Sequence, residues 1–416
     1  MLVGVENPRF TVRRNPPGWE QANAPKVGEA QRRLADIMAS PSEQPSHEDR
    51  LAQELIEKEW LERTGIANIE DIAFSLVIPI HNEETFLPSV LGALNLASIP
   101  RRANIQILMV TNASTDQSEQ LVDSFMQDIG DVHEVDFDNV LLQQIPDRNV
   151  NTRFKEVKNE GITFRHITTP TPGKANALNI ANVIAEQHGP IGINLDANNF
   201  VERDAFLEMY AESFQHMVRD PDGTVLVRTD PSYEFQKKGA NPFVRRGRGQ
   251  KVANAVLDLL IEDDAMIIGQ LMAWDTQWLR SIGGFPQTIT EDISVGVEAR
   301  RRGKKIATAS DAHVWGFLPN NIRDTLSQIA RSAQAYYQMC KDPDVLGSMR
   351  RADFYYSRRL GGRFGTIGNH MRAQPREIVN FALGGGLLET ARIIGKRAYT
   401  RDPQQTVWEP LSSTKR

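Results

Sequence analysis

The sequence has little cysteine and no long apolar run. Cys340 is the only cysteine among 416 residues, so no disulfide can form within the chain and no cysteine-based metal cluster can assemble. The most apolar long stretch, residues 378–394, is interrupted by charged side chains such as Glu389 and Arg392, which disfavours a membrane-spanning helix. The N-terminal residues are polar and lack the apolar segment of a signal peptide. These absences predict a cytoplasmic protein and leave open a peripheral contact with a membrane.

An excess of positive charge is also missing. The chain has 48 lysine and arginine residues against 53 aspartate and glutamate residues, which gives a formal net charge of −5. Nucleic-acid-binding domains are usually basic, so this balance predicts no nucleic-acid partner. With 40% apolar and 24% charged residues, the composition is that of a globular protein with one large α/β domain and additions, or with two domains.

Two familiar phosphate-binding motifs do not occur. There is no GxxxxGK[ST] loop, and no GxGxxG follows the first predicted strand. This argues against a P-loop NTPase and against a simple dinucleotide-binding fold. The usual alternative for holding phosphates is a divalent ion bound by acidic side chains, because oxygen ligands suit Mg²⁺ and Mn²⁺.

Short apolar runs alternate with helical patterns from residue 74 onward. The predicted strands, rich in β-branched residues, are 74–80, 105–110 and 191–195. The predicted helices are 84–97, 115–128 and 174–187. Ser114 or Thr115 is the expected N-cap of the second helix, and the polar residues 129–160 are expected to form an irregular insertion. The alternation predicts an α/β protein with a doubly wound, mixed but mainly parallel sheet and helices on both faces.

The first 70 residues do not follow this alternation. They begin with a proline-containing arm and continue with helical patterns at residues 28–38 and 47–64. Leu51, Leu55 and Trp60 follow a helical spacing in the second of these. The pattern predicts a helical extension that packs on the main domain.

Polar segments follow the three predicted strands. In open α/β sheets, ligands bind beyond the carboxyl ends of the strands, so the chemistry is expected just after residues 80, 110 and 195. After the third strand, Asp196 and Asn198 offer a carboxylate and an amide oxygen that could face one metal ion. The structural alternative is an Asx turn that ends the strand.

A second acidic motif is Glu291-Asp292, which opens a helix predicted to run to about residue 302. Negative charge is favoured at a helix N-terminus, so capping is the structural explanation. The functional hypothesis makes Asp292 a general base that takes a proton from an attacking hydroxyl.

Two further side chains are candidates for the same site. His313 lies on a predicted short strand, residues 312–317, and imidazole is a good partner for Mn²⁺ or Mg²⁺ beside carboxylates, although a lone histidine is more often structural. Lys174 lies at a predicted helix N-terminus, where positive charge is unfavourable. We interpret this local cost as a sign that Lys174 approaches phosphates, with a solvated lysine as the alternative.

Six motifs in this order resemble those of a family-2 glycosyltransferase of the GT-A fold, across residues 74–340. The motifs are residues 77–84, 112–116, 173–179 and 196–198, residues 269–274 with 283–285 and 290–292, and finally His313. Each motif is weak alone, whereas six in the family's order form a strong signal.

The resemblance implies metal-dependent transfer of a hexose, with inversion, from a UDP- or GDP-linked donor to a discrete small or lipid-linked acceptor hydroxyl. It implies Asp292 and Glu291 as the catalytic pair. It also implies Mg²⁺ or Mn²⁺ bound by Asp196, Asn198 and His313. The implied nucleotide-sugar-binding residues are Pro79, His81, Asn82, Glu83, Asn112, Lys174, Asp196, Ala197, Gly269 and Arg331. The predicted division of the chain is an arm with a helical extension at 1–70, a catalytic domain at 71–320 and a helical or lid-like extension at 321–416.

The sequence departs from the family pattern at several points. Asn198 stands where the third position of Asp-x-Asp is normally acidic, and Thr111-Asn112 stands where an Asp-Asp pair is frequent. The residue after Arg331 is Ser332, whereas processive synthases have tryptophan there. The loss of this tryptophan and of flanking transmembrane helices predicts a discrete acceptor instead of a secreted polymer.

Three alternatives remain at this point. A retaining GT-A enzyme could act on a phosphorylated small acceptor, and the arginines within residues 245–248 and 350–363 would suit such a ligand, a lid over the donor, or a solvated surface. A catalytically silent nucleotide-sugar-binding protein is favoured by Asn198 but opposed by the intact Asp292. A sugar nucleotidylyltransferase is disfavoured, because it needs a glycine-rich basic loop where residues 81–84 stand.

Overall fold

A computed structural model provides the structure of the chain. It describes residues 11–12, 47–96, 98–136, 152–229, 233–236, 269–317, some helical positions between 323 and 338, residue 390 and residues 393–402. The predicted helix at 28–38, Cys340 and the arginine stretches at 245–248 and 350–363 lie outside the described residues.

The described strands and helices alternate along the chain. The strands are β1 (Thr11–Val12), β2 (Ala73–Ile80), β3 (Asn104–Asn112), β4 (His133–Glu134), β5 (Arg153–Asn159), β6 (Ile162–Thr169), β7 (Ile191–Leu195), β8 (Phe200–Val201), β9 (Thr224–Thr229), β10 (Tyr233–Gln236), β11 (Leu271–Asp275), β12 (Lys305–Ala309) and β13 (Val314–Phe317). The helices are α1 (His47–Thr64), α2 (Leu87–Leu96), α3 (Ser118–Ile129), α4 (Lys174–His188), α5 (Ala205–Ser213), α6 (Thr276–Ser281) and α7 (Glu291–Arg301). Short 3₁₀ and π segments occupy Ile69–Asp71 and Phe214–Arg219.

The main sheet has nine strands in the order β12-β9-β11-β7-β2-β3-β6-β5-β4. The central strands β7, β2, β3 and β6 are parallel, and only β11 and β5 run in the opposite direction among the nine. A smaller sheet joins β1, β10, β13 and β8. The predicted fold class, an α/β protein with a mixed but mainly parallel sheet, is confirmed.

Helices cover both faces of the main sheet. Side chains alternate along β2, so Leu76 and Ile78 join one buried cluster and Val77 joins the other. The first cluster contains apolar side chains of α1, α2, α3 and α5, and the second contains those of α4, α6 and α7. The long apolar run of β2 is therefore explained by burial on both faces.

Helix α1 has the predicted bounds and packs on the main sheet through one large side chain. Trp60 is fully buried, its ring lies 5.8 Å from that of Phe74 and 5.7 Å from that of Tyr210, and its Nε1 donates to the carbonyl oxygen of Ser98 at 2.7 Å. Leu51 and Leu55 are 46% and 66% exposed. Helix α1 therefore packs on the main sheet through Trp60, whereas Leu51 and Leu55, which share its predicted apolar spacing, do not take part.

Several predicted boundaries were wrong. The helix predicted at 115–128 begins at Ser118, and neither Ser114 nor Thr115 caps it. The Asp116 carboxylate accepts from the backbone N–H of Ser118 at 3.0 Å instead. The helix predicted from residue 84 begins at Leu87, and the strand predicted from residue 312 begins at Val314.

The segment predicted as an irregular insertion, residues 129–160, also contains strands. β4 and β5 lie within it, and β6 follows directly, which was not predicted. β5 lies near the edge of the sheet and mixes charged residues with apolar ones, so it lacks the continuous apolar run by which central strands are found. In the described part of the chain, no helix combines the length and apolar character needed to cross a membrane.

Candidate active site

The polar segments singled out in the sequence lie at one edge of the main sheet. β2 pairs in parallel with β3 on one side, where Ile80 faces Thr111, and with β7 on the other, where Val77 faces Asn194. Because the three strands point the same way, the residues that follow each of them emerge at the same edge.

Lys174 lies at the centre of the site. Gly173 has φ 113°, a conformation that favours glycine, and the chain enters helix α4 at the next residue. The Lys174 ammonium lies 2.6 Å from Oδ1 of Asp196 and 2.9 Å from Oε1 of Glu291. It also donates to the carbonyl oxygen of Gly269 at 3.3 Å. Four segments far apart in sequence therefore meet around one cation.

Gly269 links this cation to Asp292. Its backbone N–H donates to Oδ2 of Asp292 at 2.8 Å, while its carbonyl oxygen accepts from Lys174 and, at 2.6 Å, from Nδ2 of Asn194. A Cβ at this position would lie 2.7 Å from Oδ2 of Asp292. The close approach of backbone and carboxylate therefore requires glycine.

Burial and charge shift the pKa values of two members of the cluster. Burial alone would lower the pKa of Lys174, but the carboxylates of Asp196, Glu291 and Asp292 outweigh it and raise this pKa above its usual range. Burial raises the pKa of Glu291, and the neighbouring Asp292 and Asp196 add to the effect while Lys174 opposes it. Lys174 is therefore a permanent cation at neutral pH.

The loops after β2 and β3 are tied to each other. Nδ1 of His81 donates to the carbonyl oxygen of Asn112 at 2.7 Å. Asn82 adopts φ 55°, and its side-chain oxygen accepts from the backbone N–H of Thr115 at 2.7 Å. The N–H of Glu83 donates to the Ser118 hydroxyl at 2.8 Å. These contacts fix the two loops against each other.

Other predicted donor-binding residues lie deeper in the fold. Asn112 is 1% exposed and donates from Nδ2 to the Gly173 carbonyl oxygen at 3.2 Å, while its Oδ1 is buried with no hydrogen-bond partner in the described structure. Pro79 is buried within β2 beside Val110, and Ala197 is 4% exposed. Asn112 thus places an unpaired but buried acceptor oxygen near the edge of the sheet.

Arg331 lies in the helical positions that follow residue 323. Its Nε is buried and has no hydrogen-bond partner among the described residues. The same stretch approaches the loop before Glu291, because the Gln338 side-chain oxygen accepts from the N–H of Ile289 at 3.1 Å. The contacts described for Arg331 do not join it to Lys174 or Asp196.

The three predicted metal ligands lie on neighbouring segments. β13, which follows His313, pairs with β8, and β8 begins just after the 196–199 loop. The His313 carbonyl oxygen accepts from the N–H of Glu202 at 3.1 Å. Among the described residues, no three His, Cys, Asp or Glu side chains are grouped as a metal site. The three ligands therefore remain a prediction.

The charge of the cluster fits an additional cation. Asp196, Glu291 and Asp292 supply three carboxylates against the single ammonium of Lys174. A diphosphate placed beside these acidic side chains would add negative charge, which favours a bound cation. The oxygen-rich side chains of Asp196 and Asn198 are of the type that Mg²⁺ and Mn²⁺ prefer.

Two residues of the site were not found from the sequence. Asn194 is fully buried, bridges Gly269 and Asp196 through Nδ2, and has an Oδ1 without a partner in the described structure. The side-chain Oε1 of Gln270 is likewise buried without a hydrogen-bond partner in the described structure. The signal for Asn194 was present, because it is the one polar side chain in the apolar run of β7.

Comparison with known proteins supports the family resemblance. Residues 75–141 match the model of the family described as Glycosyl transferase family 2. The matched segment contains most of β2, all of β3 and the two loops that follow them. No curated protein is significantly similar in sequence.

Solved structures with similar architecture have low identity. The mannosyltransferase PcManGT from Pyrobaculum calidifontis, in complex with GDP-Man and Mn²⁺, is 15% identical, with 85% of this chain and 96% of that chain covered and a TM-score of 0.47. TarS 1–349 from S. aureus, in complex with UDP-GlcNAc, is 13% identical, with 82% and 95% covered and a TM-score of 0.40. Glucosyl-3-phosphoglycerate synthase from Mycobacterium tuberculosis, in complex with Mg²⁺ and UDP, is 16% identical, with 61% and 72% covered and a TM-score of 0.35.

The match over residues 75–141 bears out the resemblance to family-2 glycosyltransferases and the prediction of a transferase enzyme, and the observed sheet bears out the α/β fold.

Proposed function

We propose that this chain transfers a hexose from a UDP- or GDP-linked donor to a discrete small or lipid-linked acceptor hydroxyl, with inversion and with a divalent ion bound. The observation that supports this function best is the meeting of Lys174, Asp196, Glu291 and Asp292 around the backbone of Gly269. Such a group combines a cation for phosphates with a carboxylate for proton transfer.

Asp292 is the proposed general base. Its Oδ2 accepts from Gly269 and its Oδ1 accepts from the N–H of Ile293 at 2.8 Å, so two backbone donors hold the carboxylate in one orientation. It takes the proton of the acceptor hydroxyl while that oxygen forms a bond to the anomeric carbon. The bond from the anomeric carbon to the diphosphate oxygen breaks, and the nucleoside diphosphate leaves with the electron pair.

The diphosphate is the proposed ligand of Lys174. A permanently charged ammonium at a helix N-terminus donates charge-assisted hydrogen bonds to phosphate oxygens. Asp196, Asn198 and His313 are the proposed ligands of Mg²⁺ or Mn²⁺. When bound, the ion stabilises the negative charge of the departing diphosphate.

A donor panel with matched variants tests this function. UDP- and GDP-sugars are incubated with the protein and Mg²⁺ or Mn²⁺, and release of UDP or GDP is followed. We expect slow hydrolysis of one donor and a loss of about 100-fold or more in Asp292→Asn and Asp196→Ala. Asp128→Asn is the control, because Asp128 is exposed on α3, and it should hydrolyse the donor at the wild-type rate. Wild-type turnover by Asp292→Asn would exclude Asp292 as the base.

The same panel separates the enzyme from a silent binding protein. Asn198 supports the silent alternative, because it lacks the charge that a third acidic residue would bring to the ion. Tight donor binding without turnover over all acceptors would favour that alternative. For an active donor, the anomeric configuration of the product, read by proton NMR, distinguishes inversion from retention.

A further inference from the structure

We propose that Lys174 is a resident cation that competes with the divalent ion for Asp196, and that the donor diphosphate relieves this competition by binding Lys174. This rests on the proposed function, because it assigns an order to the binding of metal and donor at that site. The ion then binds weakly to the free protein and tightly once a nucleoside diphosphate is present.

The contacts of Lys174 support this competition. An ammonium has three N–H donors, and Lys174 has three acceptors in Asp196, Glu291 and the carbonyl oxygen of Gly269. The cation is therefore fully satisfied by the protein itself. Its side chain remains 28% exposed, so a ligand can reach it from solvent.

Asp196 is correspondingly occupied. Its Oδ1 lies 2.6 Å from the Lys174 ammonium and accepts at 3.2 Å from Nδ2 of Asn194. A divalent ion bound to either oxygen of this carboxylate would lie within roughly 7 Å of the ammonium, where the two positive charges repel each other. Ion binding to the free protein therefore acts against the existing ion pair.

The neutral Asn198 makes the competition more important. An acidic residue at this position would add a second charge to hold the ion, whereas an amide oxygen adds none. Asp196 is then the main charged group available to the ion, and Lys174 occupies it. A diphosphate offers Lys174 other anionic acceptors and also ligates the ion, so both effects favour binding of donor and ion together.

Binding of Mn²⁺ without turnover tests this inference. Free Mn²⁺ is measured by electron paramagnetic resonance in titrations of the wild type and Lys174→Met, first without nucleotide and then with UDP or with GDP. We expect Lys174→Met to bind Mn²⁺ at least tenfold tighter than the wild type without nucleotide. We also expect nucleotide to tighten Mn²⁺ binding more in the wild type than in this variant.

Two controls accompany the titration. Lys174→Arg keeps the cation and should retain the weak Mn²⁺ binding of the free wild type. Lys155→Met removes a lysine that pairs with Asp123 at 2.6 Å, outside the site, and should leave Mn²⁺ affinity unchanged. Thermal unfolding shows whether each variant is folded. If Lys174→Met is not folded, the Mn²⁺ affinity of Lys174→Arg tests the inference on its own.

The inference is overturned if Lys174→Met binds Mn²⁺ no more tightly than the wild type without nucleotide, or if Lys174→Arg binds it tightly. Its failure differs from failure of the proposed function. Competition by Lys174 without hydrolysis of any donor would retain the inference and reject the enzyme. Donor hydrolysis with unchanged Mn²⁺ affinity in Lys174→Met would retain the proposed function and reject the competition by Lys174.

Discussion

At the scale of single residues, the site depends on a backbone position as much as on charged side chains. Gly269 donates to Asp292 with its N–H and accepts from Lys174 and Asn194 with its carbonyl oxygen. One residue without a side chain thus joins the proposed base to the proposed phosphate-binding cation. Space for a methyl group is absent there, since a Cβ would lie 2.7 Å from Asp292.

Replacement of Gly269 by alanine should therefore impair activity. We expect Gly269→Ala to shift Asp292 and to lower donor hydrolysis by about 100-fold, because a displacement near 1 Å has this effect in well-ordered sites. Gly189→Ala is the matched control, since its Cβ would meet its nearest atom at 3.4 Å, an ordinary contact. Equal hydrolysis rates in the two variants, measured by nucleotide release, would contradict the proposed role of this close approach.

Replacement of Asn198 by aspartate should strengthen metal binding, in contrast to the loss of activity expected for Gly269→Ala. We expect Asn198→Asp to lower the metal concentration needed for half-maximal donor binding, because a second carboxylate adds charge to the proposed ion site. The measurement is a Mn²⁺ titration at fixed donor concentration, read by calorimetry. An unchanged requirement for metal would show that Asn198 does not ligate the ion.

The sequence predicted the charged residues of the site better than the neutral ones. Lys174 stood out because positive charge is unfavourable at a helix start, and Asp196 and Glu291 stood out by their places after a buried strand and at the start of a helix; the structure brings all three together. Asn194 and Gln270 were missed, because their roles depend on β7 and β11 being neighbours in the sheet. The two strands are far apart in the sequence, and no motif in the residues between them indicates that they pair.

At the scale of elements, α1 is held to the main sheet by an aromatic cluster. Trp60 lies against Phe74 of β2 and Tyr210 of α5, and all three are buried. Burial of such rings dominates the stability of an interface between a helix and a sheet. Leu55 and Leu51, five and nine residues before Trp60, contribute little, since both are exposed.

Truncation of Trp60 should therefore destabilise the protein strongly. We expect Trp60→Ala to lower the free energy of unfolding by about 3–5 kcal/mol, as for other buried aromatic residues. Leu55→Ala, on the same helix but 66% exposed, should change it by less than about 0.5 kcal/mol. Urea unfolding monitored by circular dichroism measures both, and similar losses in the two variants would contradict attachment through Trp60.

Helix α3 is tied to the sheet by a polar network. Asp123 accepts from Lys155 at 2.6 Å and pairs with Nδ1 of His166 at 2.7 Å, while Nε2 of the buried His166 lies 2.9 Å from the Thr111 hydroxyl. Burial alone would raise the pKa of Asp123, but hydrogen bonds from His166 and Lys155 lower it to about 2. This network adjoins Asn112, at the end of β3.

The lowered pKa of Asp123 predicts a loss of stability in acid. A carboxyl group whose pKa is lower in the folded than in the unfolded chain stabilises the fold above its ordinary pKa of 3.8, and this contribution is lost as pH falls towards about 2. The pairing should contribute on the order of 1 kcal/mol after allowance for solvent screening. Unfolding of the wild type and Asp123→Asn over this pH range should give free energies that converge as pH falls. A constant difference would contradict the pairing.

The central strands were predictable from the sequence and the edge strands were not. β2, β3 and β7 are buried on both faces, so each is a continuous apolar run that stands out from its surroundings. β5 mixes Lys155 and Glu156 with Phe154 and Val157, because it lies towards the edge of the sheet and its charged residues pair with neighbouring elements. Such a strand resembles a polar loop until its partner β6 is known.

At the scale of the whole molecule, the sheet brings together site residues that are far apart in the sequence. Lys174, Asp196, Gly269 and Glu291 come from four segments, and the antiparallel β11 brings Gly269 to the end of β7. The backbone N–H of Asp196 donates to the carbonyl oxygen of Gln270 at 3.0 Å, which continues this pairing beyond the strand. The site is thus a property of the complete sheet, and no single motif contains it.

The most direct test of the donor site is a crystal structure of the protein with Mn²⁺ and the nucleotide sugar that it hydrolyses in the donor panel. Anomalous data are collected at the manganese edge. We expect the diphosphate at the carboxyl ends of β2, β3 and β7, in contact with Lys174. We expect an anomalous peak within roughly 2.5 Å of an Asp196 oxygen. A donor bound elsewhere, or manganese away from Asp196, would contradict the central claim that this cluster is the donor site of a glycosyltransferase.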